Sequence, residues 1–440
     1  MFEFSIDNKE RDAEARKLIF VESAAAMGGV QFSTLYLAQR LNRARWTPIV
    51  VSPEEGDLTR ECRDAGVQTQ VLEQTGLRST SVRLGTRLRV PNPAAWIWNG
   101  YAVSGAVRAL QRMLIESRPD LVVTKGLSAH FSGGLAARKT NIPCVWHVQD
   151  FISERSFGIY RRAFGGAAAW LPEQIIVDGK AIERQLPRSL KPRITVVHNG
   201  VDTNIFRPGL DGAALRDELG ISRDHLVVGH VGRMTPWKGQ HFLIEAFARI
   251  ANHNTDVSLL LVGSPVFDSD SYQRRLVSMV AQLGLSERVK FAGYRHDVAG
   301  ALAAMDVFAF TSIEKDTSPL ALLSAMSCGL PIVAFDIAGV RELMASEDQF
   351  RLAPVRDVAA LSRELSAVIS DDGLRQRLGA LARRQATLEF SLERYTDRIE
   401  MVLLEAVQGA RAPGVRQAVV DVQSRRGVPQ VNLTGSSPID

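Results

Sequence analysis

The chain is poor in cysteine and has no long apolar run. Its only cysteines are Cys62, Cys144 and Cys328, an odd number without the paired spacing of a metal site. This argues against a disulfide framework and favours a reducing compartment. No stretch reaches the roughly 18 apolar residues needed to span a bilayer. The first 17 residues are mostly charged and lack an apolar signal-peptide core, so we expect a cytoplasmic protein.

Two further absences narrow the classes of function that the sequence allows. The first β-type run, KLIFVE at residues 17–22, is followed by SAAAMGGV and not by the G-x-G-x-x-G fingerprint of dinucleotide-binding domains. This argues against a nicotinamide-dependent enzyme. Gly28 and Gly29 in this loop would let the backbone approach a ligand at the next helix start, or they form a simple tight turn. The net charge of +5 is modest, and without a nucleic-acid recognition module we expect no nucleic-acid partner.

Buried β-type runs alternate with helical patterns along most of the chain. The runs lie at residues 17–22, 47–52, 69–72, 121–124, 143–147, 175–177, 194–197, 226–231, 257–262, 289–291, 307–310 and 332–335. A chain of 440 residues is too long for one ordinary core. The pattern therefore predicts an α/β protein with two Rossmann-like, doubly wound domains, each a parallel sheet with helices on both faces.

Residues 306–342 contain a predicted strand, a polar loop, a short helix and a second strand. Ser318 followed by Pro319 is typical of an N-cap and a first helical residue. A helix N-terminus carries unpaired N–H groups and partial positive charge, so it attracts phosphate. We predict a phosphate site on the backbone of Thr317, Ser318, Pro319 and Leu320. The alternative is an ordinary βα unit with a solvated acidic loop.

Two cations follow the strand at residues 226–231. Arg233 and Lys238 are expected at the carboxyl end of that strand, which is the usual ligand edge of an open α/β sheet. An arginine fork and a lysine point charge suit a diphosphate and could neutralise it without a metal. The alternative is a surface pair at a helix start.

Three motifs in this order resemble the family 4 glycosyltransferases. They are HNGVD at residues 198–202, GRMTPWKG at 232–239 and DTSPLALLSAMSCGLPIVAFD at 316–336. The resemblance extends from about residue 18 to residue 408. It implies a GT-B architecture, with two Rossmann-like domains facing each other across a cleft. It also implies a retaining transfer of a sugar from a nucleoside diphosphate sugar.

The resemblance assigns roles to further residues. Asp316 takes the place of the first member of a family glutamate pair and would bind a hydroxyl of the donor sugar. Ser324 takes the place of the second, where its short, uncharged side chain could make only a weaker contact with the ribose, through water. By the same resemblance His147 contacts the donor sugar or the reaction centre. Gly293 and Tyr294 lie near the nucleotide base, and Gly28 and Gly29 lie in the cleft loop.

The same reasoning divides the chain and excludes a metal. We expect an N-terminal extension at 1–16, an acceptor-side domain at 17–205, a nucleotide-sugar-binding domain at 206–390, a helix crossing back at 391–408 and a disordered tail at 409–440. Asp268-Ser269-Asp270 matches a D-x-D metal pattern but precedes a helix as a capping cluster. We therefore expect no metal and no cofactor besides the donor co-substrate.

A basic segment followed by aromatic residues raises the question of a membrane partner. Its arginines are Arg78, Arg83, Arg87 and Arg89, and its aromatics are Trp96, Trp98 and Tyr101. This composition fits an anionic membrane surface, or a basic loop followed by a core helix. The expected function is transfer of a hexose to a lipid-linked or growing glycan in cell-surface polysaccharide synthesis. The alternatives are a nucleotide-sugar epimerase of the same fold and a non-catalytic binding protein.

Overall fold

The computed structural model describes residues 15–73, 81–84, 88–152, 158–265, 270–314 and 316–411. The elements of the first domain follow in chain order: β1 (Arg16–Glu22), α1 (Gly29–Arg40), β2 (Trp46–Ser52), α2 (Asp57–Asp64), β3 (Gln68–Val71), β4 (Ser81–Leu84), β5 (Leu88–Pro91), α3 (Pro93–Ser117), β6 (Leu121–Lys125), α4 (Leu127–Lys139), β7 (Cys144–Val148), α5 (Ile159–Trp170), β8 (Gln174–Val177), α6 (Lys180–Glu183) and β9 (Ile194–Val196). A 3₁₀ turn at Arg188–Arg193 precedes β9.

Seven of these strands form one parallel sheet in the order β3-β2-β1-β6-β7-β8-β9. Strands β6 and β7 are buried along their whole length, as is typical of parallel strands covered on both faces. Alternate residues of β1 enter two separate apolar layers, Leu18 and Phe20 on one face and Ile19 and Val21 on the other. Strands β4 and β5 form a separate antiparallel hairpin.

The second domain repeats this plan. Its elements are α7 (Ala213–Glu218), β10 (Leu226–Val231), α8 (Gln240–Ala251), β11 (Val257–Val262), α9 (Asp270–Gln282), β12 (Val289–Gly293), α10 (Val298–Ala303), β13 (Val307–Phe310), α11 (Leu320–Ser327), β14 (Ile332–Phe335), α12 (Ala338–Arg341), β15 (Arg351–Ala353), α13 (Val358–Ser370), α14 (Asp372–Glu389) and α15 (Leu392–Arg411). Six parallel strands form its sheet in the order β12-β11-β10-β13-β14-β15. The predicted pair of doubly wound α/β domains is confirmed.

Strand order reverses direction once in each sheet. The reversal lies between β1 and β6 in the first sheet and between β10 and β13 in the second. Loops on the two sides of such a point leave a crevice at the carboxyl ends of the strands, where ligands of open α/β sheets bind. Glu22 and Lys125 end one pair of strands, and the loops after Val231 and Phe310 leave the other pair.

The last described helix, α15, packs on the first domain. Tyr395, Ile399 and Leu403 join the same apolar layer as Leu18 and Phe20 of β1. The backbone at Gly200 packs closely against α15, since a Cβ at Gly200 would lie only 2.5 Å from Tyr395 Cβ. The C-terminal segment therefore ties the two domains together a second time.

The structure differs from the sequence expectations at several boundaries. Strand β1 begins at Arg16, inside the expected extension, and α15 continues to Arg411, past the expected start of the tail. From residue 358 to residue 411 the chain is helical apart from two short breaks: Asp371 caps α14 with its side chain, and a further break separates α14 from α15. The rest of the extension and of the tail, residues 1–14 and 412–440, lies outside the described residues. No helix in the described part of the chain is both long and apolar enough to cross a bilayer.

Candidate active site in the cleft between the domains

The carboxyl ends of the two sheets face each other. Thr317 of the second domain donates a hydrogen bond of 2.7 Å to Asp178, which follows β8 of the first domain. Asn199, which follows β9, donates from its side-chain amide to the carbonyl of Ser318 at 2.8 Å. The ligand edges of both sheets thus form the two walls of one cleft, and loop residues 311–314 and 316–319 lie between them.

The helix start after this loop differs in detail from the prediction. Helix α11 begins at Leu320, its N-cap is Pro319, and no side chain caps it. The prediction of Ser318 as N-cap is wrong because its hydroxyl accepts a hydrogen bond of 2.8 Å from the backbone N–H of Asn199. The amides of the first helical turn are therefore left without a side-chain acceptor, which keeps them suited to an anion.

Lys238 lies beside this helix start. Its ammonium is 2.6 Å from Asp316 Oδ2, and the hydroxyl of Ser312 donates to the same oxygen at 2.5 Å. Gly239 allows the approach: its φ is +72°, and a Cβ there would lie 2.1 Å from the carbonyl oxygen of Thr311. Two residues predicted separately to bind the donor, a cation and a carboxylate, therefore form one ion pair at the floor of the cleft.

Trp237 brings the second cation into the same place. The guanidinium carbon of Arg233 lies 5.6 Å from the Trp237 ring centroid, and the ammonium of Lys238 lies 4.4 Å from it. The tryptophan face is attractive to both cations. Across the cleft, burial raises the pKa of Asp150 in the first domain, while Arg233 acts to lower it. Arg233 is exposed and faces the first domain.

His147 lies on β7 under the opposite wall. It is fully buried, and neither ring nitrogen has a hydrogen-bond partner among the residues that the structure describes. Burial, followed by the nearby charge of Lys125 and by His130, holds the pKa of His147 well below its usual range. The imidazole is therefore neutral and presents one donor and one acceptor. Buried polar atoms of this kind need a partner, which a ligand hydroxyl or a water can provide.

The second histidine of this region has a structural role. His130 Nδ1 lies 2.8 Å from Thr124 Oγ1, and its ring stacks on Trp146 with a centroid distance of 4.9 Å. Burial lowers its pKa to about 3, so it stays neutral. His130 therefore belongs to the core.

The predicted nucleoside contacts lie at another end of the cleft. Tyr294 is 53% exposed beyond Gly293, whose φ of +69° ends β12. Burial, followed by the negative charge of Glu61 in the first domain, raises the pKa of Tyr294. Ser324 lies further along α11 and is buried.

The glycine loop forms part of the opposite wall. Gly28 is the N-cap of α1, and a Cβ there would lie 3.2 Å from the side-chain oxygen of Gln31. At Gly29 nothing lies within 4 Å of the position that a Cβ would occupy. The backbone at Gly29 therefore borders open space.

Several residues of the site were not predicted to act there. Asp178 and Asn199 hold the loop from the first domain, and Glu342 accepts a hydrogen bond of 2.7 Å from the backbone N–H of Lys180. Trp237 is a further example. A polar side chain directly after a buried strand was the available signal for Asp178 and Asn199, and the sequence could not say which strands would face each other.

The segment Asp268-Ser269-Asp270, predicted to cap a helix and to bind no metal, lies mostly outside the described residues. Asp268 and Ser269 lie outside the described residues, and Asp270 begins α9. Among the residues that are described, no cluster of at least three His, Cys, Asp or Glu side chains could hold a metal ion. The positive charge of the described site comes from Arg233, Lys238 and the start of α11.

Two Rossmann-like domains facing each other across a ligand cleft define the GT-B class of glycosyltransferases. HepE from Anabaena, solved in complex with UDP and glucose, has this fold: its TM-score to the chain is 0.75 at 23% identity, over 88% of this chain and 99% of HepE. Residues 27–205 match the model described as Glycosyltransferase Family 4, and residues 225–371 match that of Glycosyl transferases group 1. The chain belongs to the family 4 glycosyltransferases.

Two curated relatives illustrate the range of this family. D-inositol 3-phosphate glycosyltransferase of Stackebrandtia nassauensis is 31% identical over 53% of this chain and 54% of its own length. UDP-Gal:alpha-D-GlcNAc-diphosphoundecaprenol alpha-1,3-galactosyltransferase of Escherichia coli is 27% identical over 68% of this chain and 79% of its own length. The chain thus spans about half of the first relative.

Proposed function

We propose that the protein transfers a hexose from a nucleoside diphosphate sugar to a hydroxyl acceptor, with retention at the anomeric carbon. One observation carries this proposal: Lys238 and Asp316 form a partly buried ion pair directly beside the uncapped start of α11. A cation and free amides suit the diphosphate, and the carboxylate suits a sugar hydroxyl. The proposed retention at the anomeric carbon rests on the chain's membership of the family.

The chemistry follows from this arrangement. The bond between the anomeric carbon and the diphosphate oxygen breaks, and negative charge develops on the departing phosphate. Arg233, Lys238 and the backbone N–H groups of Thr317, Ser318 and Leu320 stabilise that charge most when it is greatest, which lowers the barrier. The acceptor oxygen bonds to the same face of the sugar, and its proton passes to the leaving phosphate. Neutral His147 orients hydroxyl groups near the reaction centre.

UDP is the nucleotide to test first, because HepE was solved with UDP and the Escherichia coli relative is named for UDP-galactose. In a thermal-shift panel of UDP, GDP and ADP, the right ligand at one hundred times its dissociation constant is expected to add about 2.7 kcal/mol to the free energy of unfolding. Arg233→Ala is expected to weaken the binding of that ligand, since a guanidinium–phosphate contact is lost. Product analysis without an acceptor separates transfer from epimerisation, which needs none.

A matched control is Arg249→Ala, a basic residue on α8 in the same domain. It is expected to bind the nucleotide like the unmodified protein. No stabilisation by any of the three nucleotides, together with full activity of Arg233→Ala, would contradict the proposed donor site.

We further propose that the acceptor is lipid-linked and that α3 brings the enzyme to an anionic membrane. The helix packs one face into the core through Leu110 and Leu114. Its other face leaves Ile97 78% exposed and Tyr101 64% exposed near the N-terminus. Exposed apolar and aromatic side chains of this kind insert at the headgroup boundary. Of the basic residues in this segment, Arg78 and Arg87 lie outside the described residues. The side chains of Arg83 and Arg89 are not described either.

Vesicle sedimentation tests this surface. The protein is expected to bind vesicles containing phosphatidylglycerol more tightly than pure phosphatidylcholine vesicles, since anionic lipid attracts basic segments. Ile97→Ser with Tyr101→Ser is expected to weaken binding at least about tenfold, because apolar area is lost from the bilayer. Ile115→Ser, at the far end of the same helix and 62% exposed, is the control and is expected to bind normally. Equal binding of both variants would contradict the proposal.

A further inference from the structure

The loop proposed to hold the donor diphosphate is also held from the opposite domain. The hydroxyl of Thr317 donates to Asp178 Oδ1 at 2.7 Å. The backbone N–H of Asn199 donates to the hydroxyl of Ser318, and its side-chain amide donates to the carbonyl of Ser318, both at 2.8 Å. All four residues are buried. The side chains of Thr317 and Ser318 thus face the first domain, while the helix-start amides are left for a ligand.

A second contact locks the same corner of the first domain. Glu342 Oε2 accepts a hydrogen bond of 2.7 Å from the N–H of Lys180, and its other oxygen is buried without a partner among the described residues. A Cβ on Gly179 would lie 3.0 Å from Thr317 Cβ, so the corner at 178–180 fits directly against the loop. A Cβ on Gly339 would lie 1.8 Å from the carbonyl oxygen of Asp316, so α12 also packs directly against the backbone of this loop.

Asn199 also connects this loop to the acceptor wall. Its side-chain oxygen accepts a hydrogen bond of 3.0 Å from Gln149, in the polar turn that follows β7. The Gln149 amide lies 3.4 Å from the hydroxyl of Ser33 on α1. That hydroxyl accepts from Lys125 at 3.0 Å and shares a hydrogen bond of 2.8 Å with Tyr395 of α15. Polar contacts therefore continue from the donor loop to the helix that starts at Gly29.

We propose that Asp178 and Asn199 are positioning residues for donor binding: through Thr317 and Ser318 they set the donor-phosphate loop, so that closing the cleft and binding the nucleotide favour each other. The inference rests on the proposed function and deepens it. Coupling of this kind is reciprocal, because a ligand that prefers the closed arrangement must be bound more tightly by it. Neither residue needs to touch the donor.

The charge state of Asp178 is consistent with this role. Burial raises the pKa of Asp178 to about 8, against the lowering effect of the Thr317 hydrogen bond. A neutral carboxyl can hold Thr317 without repelling a nearby diphosphate. The titratable groups that interact with Asp178 come from several elements: Lys125, Asp150, His198, Asp316 and Tyr395.

The sign of the pH effect follows from the raised pKa. Asp178 is buried where it meets Thr317 of the other domain, so this closed arrangement favours the protonated carboxyl. Its advantage is complete below the ordinary pKa of an aspartate and is lost as the pH rises through about 8. Nucleotide affinity is therefore expected to fall over this range. In Asp178→Asn, where the amide oxygen still accepts from Thr317, this part of the fall is expected to disappear.

Hydrogen–deuterium exchange with UDP tests the coupling directly. In the unmodified protein UDP is expected to protect both the loop peptide around residues 311–327 and the first-domain peptide around residues 174–183. In Asp178→Ala it is expected to protect only the loop, with affinity about tenfold weaker because one hydrogen bond to the loop is lost. Asp178→Asn is expected to restore both protections at pH 7. Lys180→Ala keeps the backbone contact to Glu342 and is the control.

The outcomes separate the two proposals. If UDP protects the loop but never the peptide around 174–183, or if Asp178→Ala and Lys180→Ala bind UDP alike, the coupling is overturned and the donor site stands. If UDP, GDP and ADP all fail to bind the unmodified protein, the donor site is overturned and the coupling with it. A melting temperature within a few degrees of the unmodified protein shows that a variant is folded.

Discussion

Lys238→Met is expected to lower kcat by about 10²–10³-fold at saturating donor. Losing one group that stabilises charge in a transition state typically costs this much. Lys238 is the cation that lies within 2.6 Å of Asp316 at the start of α11, where the departing phosphate is proposed to lie. The measurement is steady-state transfer at several donor concentrations. Lys180→Met, an exposed lysine on the opposite wall, is the matched control.

The ion pair provides a sharper form of this experiment. Lys238→Met leaves the Asp316 carboxylate without its cation beside an anionic ligand, whereas Lys238→Met with Asp316→Asn removes both charges. UDP carries no sugar, so its affinity reports this electrostatic effect apart from any sugar contact. We expect the double variant to bind UDP more tightly than Lys238→Met does. Equal affinities, or an unchanged kcat in Lys238→Met, would refute the assignment of Lys238.

Lys125→Met is expected to destabilise the first domain by about 3–5 kcal/mol near pH 8, because it would leave the buried charge of Glu22 uncompensated. Lys125 and Glu22 are paired across neighbouring strands and are both buried. Burial raises the pKa of Glu22 to about 7 and lowers the pKa of Lys125 to about 8, and the opposite charge of each partner limits both shifts. Without Lys125, the charge of Glu22 has no buried cation to offset it.

The loss of stability in Lys125→Met is expected to depend on pH in a definite direction. A buried carboxyl with a raised pKa is stabilising relative to the unfolded chain below its ordinary pKa, and this advantage is lost as the pH rises through the raised value. Removing Lys125 raises the pKa of Glu22 further, so the loss continues above pH 7. Urea unfolding of Lys125→Met is therefore expected to show a larger deficit at pH 8 than at pH 5. Adding Glu22→Gln should recover part of it, and a deficit independent of pH would count against a buried charge.

Much of the fold could be predicted because it depends on local pattern. Apolar runs such as those of β1 and β13 are buried along the chain whatever their neighbours, and helices must separate strands that run parallel. Loops at the carboxyl ends of those strands were expected to hold ligands for the same reason. Arg233, Lys238 and Asp316 were singled out on this basis, with the family motifs, and all three lie at the cleft.

Local pattern was insufficient where a residue's partner is distant in sequence. Ser318 has the features of an N-cap, but Asn199 contacts both its hydroxyl and its carbonyl, and Pro319 is the N-cap instead. A side-chain cap is a weak preference of about 1 kcal/mol, which tertiary contacts readily override. The short strand β15 was missed, since only three residues carry its signal.

The sequence by itself determined the two α/β halves, the family, and which strand ends carry the cations and the acidic group. Only the tertiary structure decided that Lys238 pairs with Asp316, that Asp178 and Asn199 hold the loop of the other domain, and that the buried side chains of Glu22 and Lys125 lie on neighbouring strands. The physical reason is that secondary structure depends on the spacing of neighbouring residues. Hydrogen bonds and ion pairs instead depend on distances in space, which are set when the two sheets meet edge to edge.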